Sequence, residues 1–359
     1  MHVAHFLKTL ISVIFVYCAM ISSAVLAEIK SNELVLLNWS DYMDPDLVEK
    51  FQQKFNTTLK QVYFASDDLR DDMMLETDGK GYDLVLVSGI AVDTYRRSGW
   101  LAPVNERQVP NLKHMDKSWL TAFPGINGYA VPYFWGTLGI AYRADLVDKA
   151  PTSWMDIFQP AQYLYRKIEM VESSRDALGM ALKALGYSAN SANPMEIKQA
   201  EQLLLTQKPY VKTYNYSALT EKSALVSGDV IAAMLYSGDA LTVQEFEKNI
   251  RYVVPKEGGN LWVDYLVVLD SSKNKELAMA FINFLNEPEN AAQLAEFVHY
   301  ATPNKAAEKL LPDEFLKDAT IYPSAEIIAK SEFYTPLPAR ITKQRNSAFA
   351  RIMQLETVK

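Results

Sequence analysis

Acids, hydroxyls and aromatic rings return together in short stretches along this 359-residue chain. Trp39-Ser40-Asp41-Tyr42 is one such stretch, Tyr236-Ser237-Gly238-Asp239 another, and Trp262 with Asp264 follows the Gly258-Gly259 pair. Ser88-Gly89, and Ser173 with Asp176, add hydroxyls and a further acid. A carboxylate supplies charge, and the face of a Trp or Tyr ring attracts a cation by roughly 0.5–2 kcal/mol once water is excluded. Burying an ammonium without a partner costs several kcal/mol, so each one needs a carboxylate or several acceptors. Trp39, Asp41, Tyr42, Tyr236, Asp239, Trp262 and Asp264 together suit an organic cation with methylenes between its charges, such as a polyamine. For any one stretch the plainer reading is a core aromatic beside a solvated acid. Recurrence of the pattern favours a cleft.

The elements that must position these residues alternate in type. ELVLLNW (33–39) reads as a strand, and Asp44 caps a helix with Pro45 in its first turn and Leu47, Val48, Phe51 and Phe55 on one face. TLKQVYF (58–64) is the next strand, and Ser66 caps a helix carrying Leu69, Met73 and Met74. YDLVLVS (82–88) is a continuous apolar run, as in a parallel sheet buried on both faces. A second block follows: a strand at KIEMVE (167–172), helices over 173–186 and 194–205, a strand near VKTYN, a helix across 218–227 and a strand over 230–236. Residues 250–270 read as strand, Gly-Gly turn, strand, followed by helices around 274–285 and 288–298 and a tail that runs from acidic to basic. The fold class is α/β, with two lobes joined by strands. In open α/β sheets ligands sit beyond the carboxyl ends of strands, which is where the acid–aromatic stretches fall.

Bulk properties remove other classes. Residues 1–27 read as a secretory signal, with His2, His5 and Lys8 before the apolar run LISVIFVYCAMISSAVLA and cleavage after Ala27. Lys8 is the only Lys, Arg, Asp or Glu in that leader, so the remainder carries 35 basic and 43 acidic residues, a net charge of −8. Such a balance argues against nucleic acid as a partner. The single cysteine, Cys18, lies in the leader, so an exported chain of about 330 residues holds itself by core burial rather than disulfides. With His114 and His299 the only histidines left and no thiol, no metal and no cofactor is expected. There is no GxGxxG, Walker-type loop, GxSxG elbow or HExxH, so an enzyme is not expected either.

With these residues in view, the chain resembles the periplasmic spermidine/putrescine-binding proteins of bacterial ABC importers. NWSDY (38–42), YDLVLVS (82–88), PYFWGT (132–137), KALGYS (183–188), PKEGGNLWVD (255–264) and YATPN (300–304) carry the likeness over essentially the whole mature chain. The resemblance implies a two-lobed, type II periplasmic binding protein with a central ligand cleft. One lobe would comprise residues 28–138 and 263–308, the other 139–262 and 309–359. It also implies roles: Trp39 and Tyr42 line a slot with Asp41 near an amine, and Ser88 accepts a hydrogen bond. Trp262 and Asp264 supply a wall and a charge partner, and Tyr300 closes the pocket. Tyr236 stands where relatives carry a tryptophan, and some relatives share the acid at Asp239.

Departures from the family pattern bear on the ligand. Where spermidine-preferring relatives read D-A-R-E, this chain reads Ser173-Ser174-Arg175-Asp176; Ile90 replaces a tyrosine, and Tyr334 stands where some members have glutamine. A differently spaced triamine such as norspermidine fits that change. The family also includes periplasmic sensors that report polyamines to an inner-membrane receptor with a cyclic-di-GMP domain and so control biofilm formation. The partner is therefore either such a receptor or an ABC permease, with the protein acting as a monomer. A sugar or anion ligand is the alternative, and the four acids of the cleft segments against one base, Arg175, weigh against it.

Overall fold

The computed structural model describes residues 33–354. The signal segment, residues 1–27, lies outside the described residues. Strands β1 (Glu33–Trp39) and β2 (Thr58–Phe64) flank helix α1 (Pro45–Phe55). The Asp44 carboxylate accepts from the Asp46 amide at 2.8 Å, and Pro45 opens the first turn, so the helix starts where one donor is capped and another is missing. Its inner face buries Leu47 and Phe51. Helix α2 (Asp67–Glu76) is capped by Ser66, and α3 (Gly89–Arg97) starts directly after β3 (Leu84–Ser88). The long β4 (Ala130–Arg143) was not read from the sequence.

The second block holds β5 (Ile168–Met170), α4 (Ser174–Ala184), α5 (Pro194–Gln207), β6 (Val211–Tyr214), β7 (Ala232–Tyr236) and α6 (Ser237–Phe246). It continues with β8 (Ile250–Val253) and β9 (Leu261–Val268), then α7 (Lys275–Leu285), α8 (Pro288–Val298) and, near the end, α9 (Ala339–Gln354). The helix expected across 218–227 is confined to Ala224–Ser227: the Ser223 hydroxyl accepts from the Leu225 amide and so sets the start there, and Gly228 at φ +77° ends it.

The strands run in the order β2-β1-β3-β9-β4-β7-β5-β6, with β8 also paired to β4. β1, β2 and β3 are parallel, while β9 runs antiparallel between β3 and β4. β4 changes partners part-way: Thr137 pairs with Leu261 of β9, whereas Leu138 pairs with Tyr236 of β7. One strand thus belongs to two half-sheets, each covered on both faces. Leu36, Leu86 and Leu266 face one core and Leu37, Val85 and Val267 the opposite one. In the second half-sheet Met234 and Leu235 do the same.

β8 and β9 flank the Gly258-Gly259 turn without pairing to each other, because each takes a different stretch of β4. A Cβ on Gly258, at φ +80°, would lie 2.3 Å from the Lys330 carbonyl oxygen, so glycine is what lets three chain segments pass here. The returning chain lies beside this point, with Asn260 bridged to Glu332. Leu311, Phe315 and Leu316 pack into one core of the first half-sheet and Ile321 and Tyr322 into the other, while Tyr334, Ala348, Phe349 and Ile352 join the second. Apolar side chains of 311–322, beyond the expected lobe boundary at 308, thus pack on the first half-sheet. Among the described residues no helix is long and apolar enough to cross a membrane.

Candidate ligand-binding cleft

The first lobe brings Trp39, Tyr42, Ser88, Trp262, Asp264 and Tyr300 to one edge. Trp39 ends β1 and Ser88 ends β3; β9 runs the opposite way, so its amino-terminal residues lie at that same edge, with Asp264 paired to Ser88. The aromatic rings support one another edge to face. Tyr42 meets Tyr133 at 5.3 Å and Tyr300 at 5.8 Å, and Trp262 meets Tyr300 at 4.8 Å and 80°. Tyr300 fits flat because Gly238 faces it; a Cβ there would fall 2.6 Å from the ring.

The second lobe contributes Ser173, Asp176, Tyr236, Asp239 and Tyr334. Asp239 is 5% exposed, and each of its oxygens accepts a tyrosine hydroxyl: Tyr300 at 2.7 Å and Tyr216 at 2.6 Å. The Tyr300 bond crosses between lobes, as does the edge contact of Trp262 with Tyr236 at 6.0 Å. Burial pushes the Asp239 carboxyl up to about 6, against the pull of those two hydroxyls. Asp176 is also 5% exposed; its Oδ2 accepts from the Tyr236 hydroxyl at 3.1 Å, and its amide donates to Ser173 Oγ, the cap of α4. Burial raises this carboxyl too, outweighing Ser173, Tyr334, Arg175 and Tyr236. Asp264 is pushed furthest, to about 8, by burial first and then by the charge of Asp67, with Arg70 and the Tyr42 hydroxyl pulling the other way.

Several of these groups stand without partners. Twelve buried polar side-chain atoms among the described residues have no hydrogen-bond partner, and five belong to the residues singled out from the sequence. They are the Tyr42 and Tyr334 hydroxyls, Ser88 Oγ, Asp176 Oδ1 and Trp262 Nε1. The Tyr42 hydroxyl thus approaches Asp264 without reaching hydrogen-bond geometry. Native interiors rarely leave such groups orphaned, because each costs about 1–3 kcal/mol. Their concentration at one place marks a surface built to meet something polar.

Comparison with known proteins fits that geometry. The model of the family described as "Bacterial extracellular solute-binding protein" matches residues 46–323, most of the chain. The chain belongs to this family. Family membership is that of a solute binder, not of an enzyme class. Among curated relatives, the spermidine/putrescine-binding periplasmic protein of Escherichia coli K12 is 35% identical over 315 residues, covering 86% of this chain and 88% of the relative. The norspermidine sensor of Vibrio cholerae is 30% identical over 323 residues, covering 89% of each. A solved structure described as a putative spermidine/putrescine ABC transporter from Listeria monocytogenes superposes with a TM-score of 0.82 at 34% identity, covering 90% of this chain and 99% of that one. The two-lobed type II periplasmic binding fold expected from the sequence is the one observed.

In this solute-binding protein, eleven of the twelve residues singled out from the sequence lie together where the two half-sheets meet. Asp41 is the exception: it is an exposed turn residue at φ +55° and joins none of the hydrogen bonds just described. The chain leaving β1 needs a residue that tolerates positive φ, and aspartate is among the few that do. Tyr216, Asp67 and Arg70 were missed. Tyr216 follows β6 and lies nearly parallel to Trp39 of the other lobe, 6.2 Å away and at 20°. Asp67 follows β2 in the stretch FASD, so the strand-end rule that found the other acids applied equally to these two positions. Arg70 carried no such signal: it is 1% exposed inside α2 and acts through Asp67. Among the described residues no cluster of His, Cys, Asp or Glu is arranged to hold a metal ion.

Proposed function

We propose that this protein is a periplasmic polyamine-binding protein, exported by its leader, that closes on a triamine of the spermidine or norspermidine type. The observation that carries the reading is the set of three carboxylates, Asp176, Asp239 and Asp264, held above their ordinary range by burial among Trp and Tyr rings drawn from both lobes. A carboxylate kept from ionising by burial gains most from a cation brought beside it. Methylenes between the amines meet the faces and edges of Tyr42, Tyr236, Trp262 and Tyr300. The printed names of the relatives, which include spermidine/putrescine binders and a norspermidine sensor, support the same ligand class.

The lobes are taken as residues 33–137 with 261–322 and residues 138–260 with 334–354, the crossings lying at the β4 partner change, the Gly258-Gly259 turn and Glu332. The ligand-loaded monomer then either delivers its cargo to an ABC permease or reports it to an inner-membrane receptor. Titration calorimetry with putrescine, spermidine, norspermidine and spermine tests the ligand class. Saturable binding of a triamine is expected, and absence of heat with all four would overturn the reading. Uptake of labelled polyamine and polyamine-dependent biofilm formation, each measured in a strain lacking the gene, separate the two partners.

A further inference from the structure

Asp67 of the first lobe and Arg175 of the second face each other across the cleft, with Arg175 Nη1 3.5 Å from Asp67 Oδ2. That spacing is looser than the about 2.7–2.9 Å of a tight charge-assisted hydrogen bond. The other Asp67 oxygen is held by buried Arg70, so Asp67 keeps a partner whether or not Arg175 stays. The Arg175 guanidinium also lies 6.0 Å from the Tyr334 ring centroid. Its sequence neighbour is Asp176, whose Oδ1 has no partner. A carboxylate on one side and an aromatic face on the other is the setting this cleft offers a ligand ammonium. Here the chain's own cation takes it. Arg175 is 37% exposed along its side chain, so it can move outward into solvent.

We infer that Arg175 is a specificity-determining residue that stands in for one ammonium at the Asp67–Tyr334 end of the slot. A diamine binds clear of it, whereas a third ammonium placed at Asp176 lies against the neighbouring guanidinium and is repelled by it, so it binds well only when Arg175 moves outward. The inference rests on the polyamine reading and adds to it the number of amines the slot prefers.

Calorimetric titration of the wild type, Arg175→Gln and Asp67→Asn with putrescine and with norspermidine tests it, with folding checked by circular dichroism. Arg175→Gln should raise the ratio of triamine to diamine affinity by tenfold or more. Asp67→Asn should lower the same ratio, because the guanidinium released from Asp67 turns to Asp176. A pair that merely latches the lobes changes both ligands alike, and an unchanged ratio in both variants overturns the inference while leaving the polyamine reading intact. A wild type that binds neither amine overturns both. Should the glutamine variant fail to fold, the Asp67→Asn ratio alone decides: a fall supports the inference, and no change or a rise rejects it.

Discussion

Replacing Asp264 by asparagine removes one charge while keeping the shape of the side chain. With the lobes together, as here, burial pushes this carboxyl up to about 8, so at pH 7.0 it is ionised in about one molecule in ten. An ammonium arriving beside it must first draw off the proton, at about 1.4 kcal/mol per pH unit below 8. Truncating one partner of a buried charge pair costs about 2–5 kcal/mol. With a middle value of about 3.5, the loss in Asp264→Asn is about 2 kcal/mol at pH 7.0, or roughly 30-fold, after the deprotonation cost that the variant no longer bears. Well above pH 8 that cost vanishes and the loss approaches roughly 300-fold. Between pH 7.0 and 8.5 the ionised fraction rises about eightfold, so wild-type affinity should rise by about that factor from this group alone. The two flanking ammoniums hold the central amine of a triamine below the lysine value of about 10.4, so putrescine, whose two charges persist over this range, is the ligand that isolates the Asp264 effect. Calorimetry at both pH values, in buffers of different ionisation enthalpy, measures affinity and proton release together. A variant that binds a triamine as tightly as the wild type, with the same pH slope, would refute the reasoning.

The same carboxyl links pH to stability. Its folded pKa lies above the unfolded value of about 3.9, so the folded state retains a proton that the unfolded chain releases. The unliganded protein should therefore lose stability at this group as pH rises from about 4 to 8, a slope that Asp264→Asn removes and that thermal melts across this range would reveal. Trp39→Ala and Trp262→Ala should each weaken triamine binding, by roughly 2–30-fold per lost ring contact. Trp100→Ala and Trp119→Ala should instead lower stability, because Trp100 packs on Tyr95 and Trp119 on Trp135; equal affinity losses in all four folded variants would contradict this division. The lobes touch here through Tyr300 with Asp239 and Arg175 with Asp67, so the radius of gyration from small-angle scattering at saturating triamine should match this closed arrangement, and a larger value with ligand bound leaves closure without support.

Much of the architecture was legible in the linear chain, for local reasons. β1 and β2 have the bounds read from their strand-like segments, and Asp44 and Ser66 start helices because each offers a side-chain oxygen to an amide two or three residues on. Most of the acid–aromatic stretches were visible as well, since they end strands and strand ends in such sheets gather at one edge, whereas Trp262 and Asp264 begin β9, which runs the opposite way. β4 was not visible: nearly every residue is buried, with Pro132, Gly136 and Gly139 interrupting any pattern, and its assignment depends on partners that switch part-way along it. Nor does the chain show that the apolar side chains of 311–322 pack on the first half-sheet, since their spacing does not say which core is nearer. Asp41 and Asp264 look alike as acids next to aromatics, yet one is an exposed turn residue and the other is pushed to about 8 by burial. The starts of these helices and the extents of the first strands thus follow from interactions within a few positions. Which acids are desolvated, and which partners they meet from the other lobe, follows from packing between distant segments, as when Asp239 meets Tyr300 and Asp67 meets Arg175. Desolvation depends on everything that surrounds a group, so only the assembled lobes decide it.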